Sequence, residues 1–154
     1  MTAITPREAI EAAYAVLPAD PALALQAAIR ERLLSSPIMG AIFAPMAIVD
    51  GPRHPNMFPS ITFGTPQTIA NDLTLARRHA TIALDLHIWT REEASVEASK
   101  LAGIVRSALF ASPLTSPEIS FADVRYQGTR ILRDSSSQHG HAVVSVEAIA
   151  RWRQ

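Results

Sequence analysis

The chain has 154 residues, 14 of them basic and 14 acidic, with no cysteine and 48% hydrophobic residues. That length fits one domain with a core that stands without disulfides, and the lack of Cys, which excludes them, fits a reducing compartment. A formal charge of zero argues against a dedicated nucleic-acid binder, which carries a basic excess, and gives an apolar-rich monomer little charge repulsion to keep it dispersed.

The first residues lack the basic start and apolar run of a signal peptide. Thr5-Pro6-Arg7-Glu8 reads as a helix start, with Thr5 as cap, Pro6 in the first turn and Glu8 completing a capping box. Ala9, Ala13, Val16 and Leu17 fall on one face, and Pro18 ends the helix. Asp20-Pro21 starts a second helix, whose Ala22, Leu25, Ile29 and Leu33 form an apolar stripe up to Ser35-Ser36-Pro37. The run from Pro37 to Val49 is broken by Gly40 and Pro45. It falls short of the roughly 20 residues of a transmembrane helix, and reads as a loop with one short strand near Ala47–Val49. Asp50-Gly51-Pro52 marks a turn.

Pro59–Gly64 reads as a short strand, and Thr65–Asn71 as polar and irregular. The clearest strand is His79–Trp89: Ile82, Leu84, Leu86 and Ile88 point one way, while Thr81, Asp85 and His87 point the other with Trp89. Thr90-Arg91-Glu92-Glu93 forms a second capping box, so strand passes to helix with almost no loop. Ala94, Ala98, Leu101, Val105, Ala108 and Leu109 are the stripe of that helix, and Ser112-Pro113 breaks it. Ile119–Tyr126 and Thr129–Arg133 read as strand, either as two pieces or as one long strand with Gly128 at a bulge, Asp134–Gln138 as a turn, and His141–Trp152 as the returning strand of a hairpin. This order predicts an α+β domain: an antiparallel sheet with helices packed on one face.

Phosphate-binding glycine loops, a His-Glu-x-x-His helix and a nucleophile elbow are absent from the sequence, and without Cys there is no thiol nucleophile. The most specific chemical possibility is a metal site. Asp85 and His87 share one strand face, as do His139 and His141, and pairing of those strands would let four ligands converge. The simpler reading is that each side chain makes ordinary hydrogen bonds. Ser135-Ser136-Ser137 is more simply a turn than a nucleophile cluster. Trp89 either closes the end of its strand or anchors a partner subunit, since interfaces favour Trp and Arg. Arg151-Trp152-Arg153 reads as a strand end or subunit contact before it reads as a base-stacking site.

The residues His79–Arg91, together with Arg133-Asp134 and His139-Gly140, resemble the tail completion, or tail terminator, proteins of long-tailed bacteriophages and gene transfer agents. The collinear pieces are the apolar helix Ala22–Leu34, the Asp50-Gly51 turn, the strand Pro59–Gly64, the His-x-Trp-Thr-Arg strand end at residues 87–91 and the Arg-Asp to His-Gly hairpin. They span about residues 22–150. Residues 1–20 depart from the pattern as an added helical extension ahead of a terminator-like domain at 21–154. The Ser-rich turn and residues 65–78 depart from it as well.

The resemblance implies a structural, non-enzymatic protein without cofactor or metal. Such a subunit forms a homo-hexameric ring that caps the head-proximal end of the tail tube and binds the major tail tube protein and the head-completion (stopper) protein. DNA passes through its lumen without specific binding. It implies a place in the tail or neck of the virion, assembly in the bacterial host cytoplasm and no membrane contact. Trp89, Arg91 and Trp152 are the candidate subunit-interface residues. The alternatives are another neck or connector protein of the same particle and, from a different class, a metal-binding enzyme using Asp85, His87, His139 and His141.

Overall fold

The fold is organised around one central strand, β4 (His79–Thr90), in which every second residue is buried. A computed structural model of the chain describes residues 2–50, 56–71, 78–92, 95–133 and 138–153. Strand β6 (Gly140–Trp152) pairs antiparallel with β4 along its whole length, from Thr90 opposite Gly140 to His79 opposite Arg151. Strand β5 (Ile119–Leu132) pairs antiparallel with β6 and forms the outer edge on that side.

The other side of β4 is shared. Strand β2 (Ser60–Phe63) pairs with residues 86–89 and β3 (Gln67–Asn71) with residues 79–83, both antiparallel. Between them the Gly64 amide donates to the Asp85 carbonyl at 2.8 Å. The three-residue β1 (Ile48–Asp50) adds to β2 in parallel, which completes a six-stranded sheet in the order β1-β2-β4-β6-β5, with β3 beside β4.

Helices α2 (Pro21–Ser35) and α4 (Ser95–Leu109) lie across one face of β4 and β6. Their apolar stripes Leu25, Ile29, Leu33 and Ala98, Leu101, Val105, Leu109 are buried against Ile82, Leu84, Leu86 and Ile88, and against Ala142, Val144, Val146 and Ala148. Non-directional apolar burial holds these layers together, so helix and strand periodicities suffice to choose the buried side chains. Asp20 caps α2, its Oδ1 accepting from the Leu23 amide at 2.9 Å. Helix α1 (Pro6–Tyr14) has the expected capping box with Thr5 and Glu8, yet it buries no residue. No helix among the described residues is long and apolar enough to cross a membrane.

The α+β class and the helices on one face are as the sequence predicts, and three local features differ. The Pro37–Val49 run contains a short helix, α3 (Pro37–Ile42), which buries Met39 next to Phe43. Pro37 sits in its first turn, where no amide is needed, and Gly40 faces open space. Residues 67–71 form β3 rather than an irregular stretch. An edge strand whose residues 67–70 are all exposed has no buried alternation to reveal it. The sheet is mixed rather than wholly antiparallel, because β1 is too short for its pattern to show its direction. Helix α4 is described from Ser95 onward. Thr90 ends the strand, its hydroxyl donating to the Glu92 carbonyl at 2.9 Å. Glu93, the other half of the expected capping box, lies outside the described residues, as do most of the Asp50–Pro52 turn and the Ser135–Ser137 turn.

The long β5 is a single strand, and Gly128 is its bulge residue: the register with β6 shifts between Tyr126 and Gly128, where φ is +153°. That backbone region favours glycine. A second shift lies between Phe121 and Asp123.

Candidate functional site

The helices leave the other face of the sheet open, and the polar side chains of β4 and β6 gather there. Alternation puts Asp85, His87 and Trp89 on this face of β4, and pairing sets them beside Ser145, Val143 and His141 of β6. His87 Nδ1 lies 2.8 Å from His141 Nε2, so one imidazole donates its N–H to the other. Trp89 stacks on His141, with ring centroids 3.8 Å apart and planes 12° from parallel, and its Nε1 donates to Thr62 Oγ1 on β2 at 3.1 Å. A row of side chains joined by hydrogen bonds and one ring stack thus crosses three strands. Half-burial holds His87 below the ordinary imidazole range; the Asp85 carboxylate opposes that shift and Arg130 adds to it.

Asp85 is engaged one step along. Ser145 Oγ donates to its Oδ1 at 2.5 Å, and Arg130 on β5 approaches its Oδ2 at 3.4 Å. The Arg130 contact is exposed and adds little by itself, whereas the Ser145 bond is half-buried and ties the two central strands. His139 goes elsewhere: it stacks on Phe58 at 4.2 Å, and its Nδ1 lies 3.0 Å from the Arg91 carbonyl. The four residues considered for a metal therefore do not converge. His87 and His141 contact each other, Asp85 is held by Ser145, and His139 lies by residue 91. Among the described residues no group of three His, Cys, Asp or Glu is placed to hold a metal ion.

Gly140 explains its own place in the hairpin. It stands opposite Thr90, and a side chain there would overlap the Thr90 hydroxyl and come within 2.8 Å of the Glu92 carbonyl. Only glycine lets β6 close on the end of β4 at this point.

The three candidate interface residues lie apart. Trp89 is half-buried in the row just described, and Arg91 is exposed immediately beyond it. Trp152 is at the far end of the sheet, where its Nε1 donates to the Ala19 carbonyl at 2.9 Å. There Tyr14, Leu17, Asp20, Arg78, Trp152 and Arg153 surround an open notch of about 910 Å³. The Tyr14 hydroxyl accepts from the Asp20 amide at 3.0 Å, so the α1–α2 junction is tied to the sheet through both aromatic side chains. Thr62, Ser145 and Arg130 are the participants that sequence reasoning missed. Alternation places residues 85, 87 and 89 on one face, but a single strand carries no signal of which neighbours meet it.

The face is a bracing network of hydrogen bonds and stacked rings. Comparison with known proteins shows what domain it braces. The solved structures of similar fold include a chain in the virion of a native gene transfer agent particle, with a TM-score of 0.70 at 16% identity, over 86% of this chain and 99% of that one. They also include the bacteriophage SPP1 gp17 protein, with a TM-score of 0.52 at 20% identity, over 82% of this chain and 88% of that one. No curated protein sequence matches. Residues 27–151 match the family model described as tail completion protein gp17. That span contains the sheet and both packed helices apart from the first six residues of α2 and the last residue of β6, and the chain belongs to the tail completion protein family.

Proposed function

We propose that the chain is a structural, non-enzymatic virion protein, a tail terminator whose copies close into a hexameric ring on the head-proximal end of the tail tube. The ring joins the tube to the head-completion protein and leaves a lumen through which DNA passes without specific binding. The observation that carries this reading is the family match over residues 27–151, which takes in nearly the whole sheet and helix layer.

The geometry agrees with a protein built for contact. β5 presents a long sheet edge, and such an edge pairs readily with another chain. Ile10, Val16, Leu17, Ile38, Met46, Ile69 and Val96 are large apolar side chains left exposed on a chain of zero formal charge. In this reading residues 1–20 are an extension of the terminator-like domain at 21–154, and Trp89, Arg91 and Trp152 lie at subunit contacts. The protein acts in the tail or neck of the particle after assembly in the host cytoplasm.

Negative-stain imaging with mass measurement tests it, using the purified chain alone and mixed with tail-tube subunits. Rings of six that cap one end of short tubes are expected. A chain that stays monomeric and does not bind tube subunits overturns the reading. Rings that bind the head-completion protein but ignore tubes would make it a different neck component.

A further inference from the structure

Helix α1 is well formed but lightly held. Thr5 and Glu8 close its capping box, yet none of its nine residues is buried. A helix of that length is marginal in water by itself, so its position depends on what ties it to the domain. Of α1 only Tyr14 reaches the wall of the open notch of about 910 Å³ at the end of the sheet. Ile10 on the same helix stays 66% exposed.

Two hydrogen bonds hold this region, and they differ in kind. The Trp152 indole donates to the Ala19 carbonyl at 2.9 Å, and both residues are half-buried and pack against the core. The Tyr14 hydroxyl accepts from the Asp20 amide at 3.0 Å in an exposed position. Asp20 is the N-cap of α2, and its amide lies outside the helix ladder. When that bond opens, water satisfies both groups, so opening costs little. Residues 15–18, all exposed, run between the two anchors.

We infer that α1 is a strap that docks and releases as a unit. The Trp152–Ala19 bond is its fixed post, residues 15–18 are its hinge, and the Tyr14–Asp20 bond is its latch. Release carries Ile10 and Tyr14 away from the mouth of the notch. The sheet and the packed helices α2 and α4 keep all their buried contacts, because α1 contributes no residue to the core. Openings of this kind, which expose little apolar surface and break few bonds, cost far less than global unfolding. The strap works the same way whether or not copies of the chain close into a ring.

Spin-label distances test it, because the chain has no cysteine of its own. Glu11→Cys on α1 and Glu31→Cys on α2, both exposed, are labelled in the full chain and diluted in unlabelled chain, so that only distances within one chain count. Two populations are expected: a narrow distance for the docked strap and a broad one for the released strap. Tyr14→Phe removes the latch hydroxyl and is expected to raise the ratio of released to docked strap about two- to fivefold, the effect of one exposed hydrogen bond. The urea midpoint of the domain should stay where it was. A single distance, or a released share that Tyr14→Phe leaves unchanged, overturns the inference. So does a Tyr14→Phe chain whose whole domain unfolds at lower urea, since the strap would then be part of the cooperative fold.

Discussion

His87 on β4 and His141 on β6 share a hydrogen bond, their ring nitrogens 2.8 Å apart, on a half-buried face of the sheet. Such a bond needs at least one neutral ring, and two imidazolium ions at this distance repel. Burial also holds His87 below its ordinary value near 6.5. Below that pH the unfolded chain therefore binds a proton at residue 87 that the folded chain resists, so stability is full above about pH 6.5 and falls as the pH drops through the folded value. The urea midpoint is expected to be lower at pH 5 than at pH 7.5, and His87→Phe to reduce that difference. Trp89 stacks on His141, so in a Trp152→Phe background its fluorescence follows the same titration. An unchanged pH slope in His87→Phe would refute the account.

Gly140→Ala tests the closest approach in the hairpin. The added methyl would overlap the Thr90 hydroxyl and stand 2.8 Å from the Glu92 carbonyl, so β6 must shift where it meets β4. Overpacking of this kind costs about 1–3 kcal/mol, measurable as a lower urea midpoint. Thr90→Ala in the same chain removes the hydroxyl and is expected to restore part of the loss, as residues in contact do not act additively.

Trp152→Phe keeps the ring but removes the N–H that donates to Ala19. The half-buried carbonyl is left without that partner, at roughly 1 kcal/mol, and the α1–α2 junction loosens. Limited proteolysis followed by mass spectrometry is expected to cut within residues 2–20 several-fold faster, while the melting of the sheet barely moves.

Gly103→Ala is expected to raise the stability of the monomer by about 0.5–1 kcal/mol. The helix gains propensity, and the methyl meets nothing within 4 Å. Urea unfolding of the isolated chain measures it. A loss of stability would mean that the surface over α4 is already filled within the subunit.

What the sequence shows most clearly is whatever repeats locally. Ile82, Leu84, Leu86 and Ile88 alternate, and all four are buried. Leu25, Ile29 and Leu33 recur at helical spacing, and α2 buries all three. Thr5 with Glu8 and Asp20 with Pro21 mark helix starts that the hydrogen bonds reproduce. Less was legible where periodicity was short or exposed. Residues 67–70 of β3 are all exposed, α3 is hidden by Gly40 and the adjacent prolines, and the three-residue β1 was legible as a short strand but not in its direction. The candidate site was legible only by face. Asp85, His87 and Trp89 were placed together correctly, but the metal reading drew in His139, which turns to Phe58 instead.

By itself, the sequence determined the long elements, the buried faces of α2, α4, β4 and β6, and the family pattern from about residue 22 onward. Those follow from bonds and spacings between residues near one another along the chain. The tertiary structure alone decided which side chains meet: His141 with His87 and Trp89, Ser145 with Asp85, and Trp152 with Ala19 across 133 positions. It alone showed that α1, capped as the sequence predicts, buries no residue. Long-range pairing depends on how strands and helices register against one another in space, and one strand's pattern of buried and exposed residues is compatible with many registers.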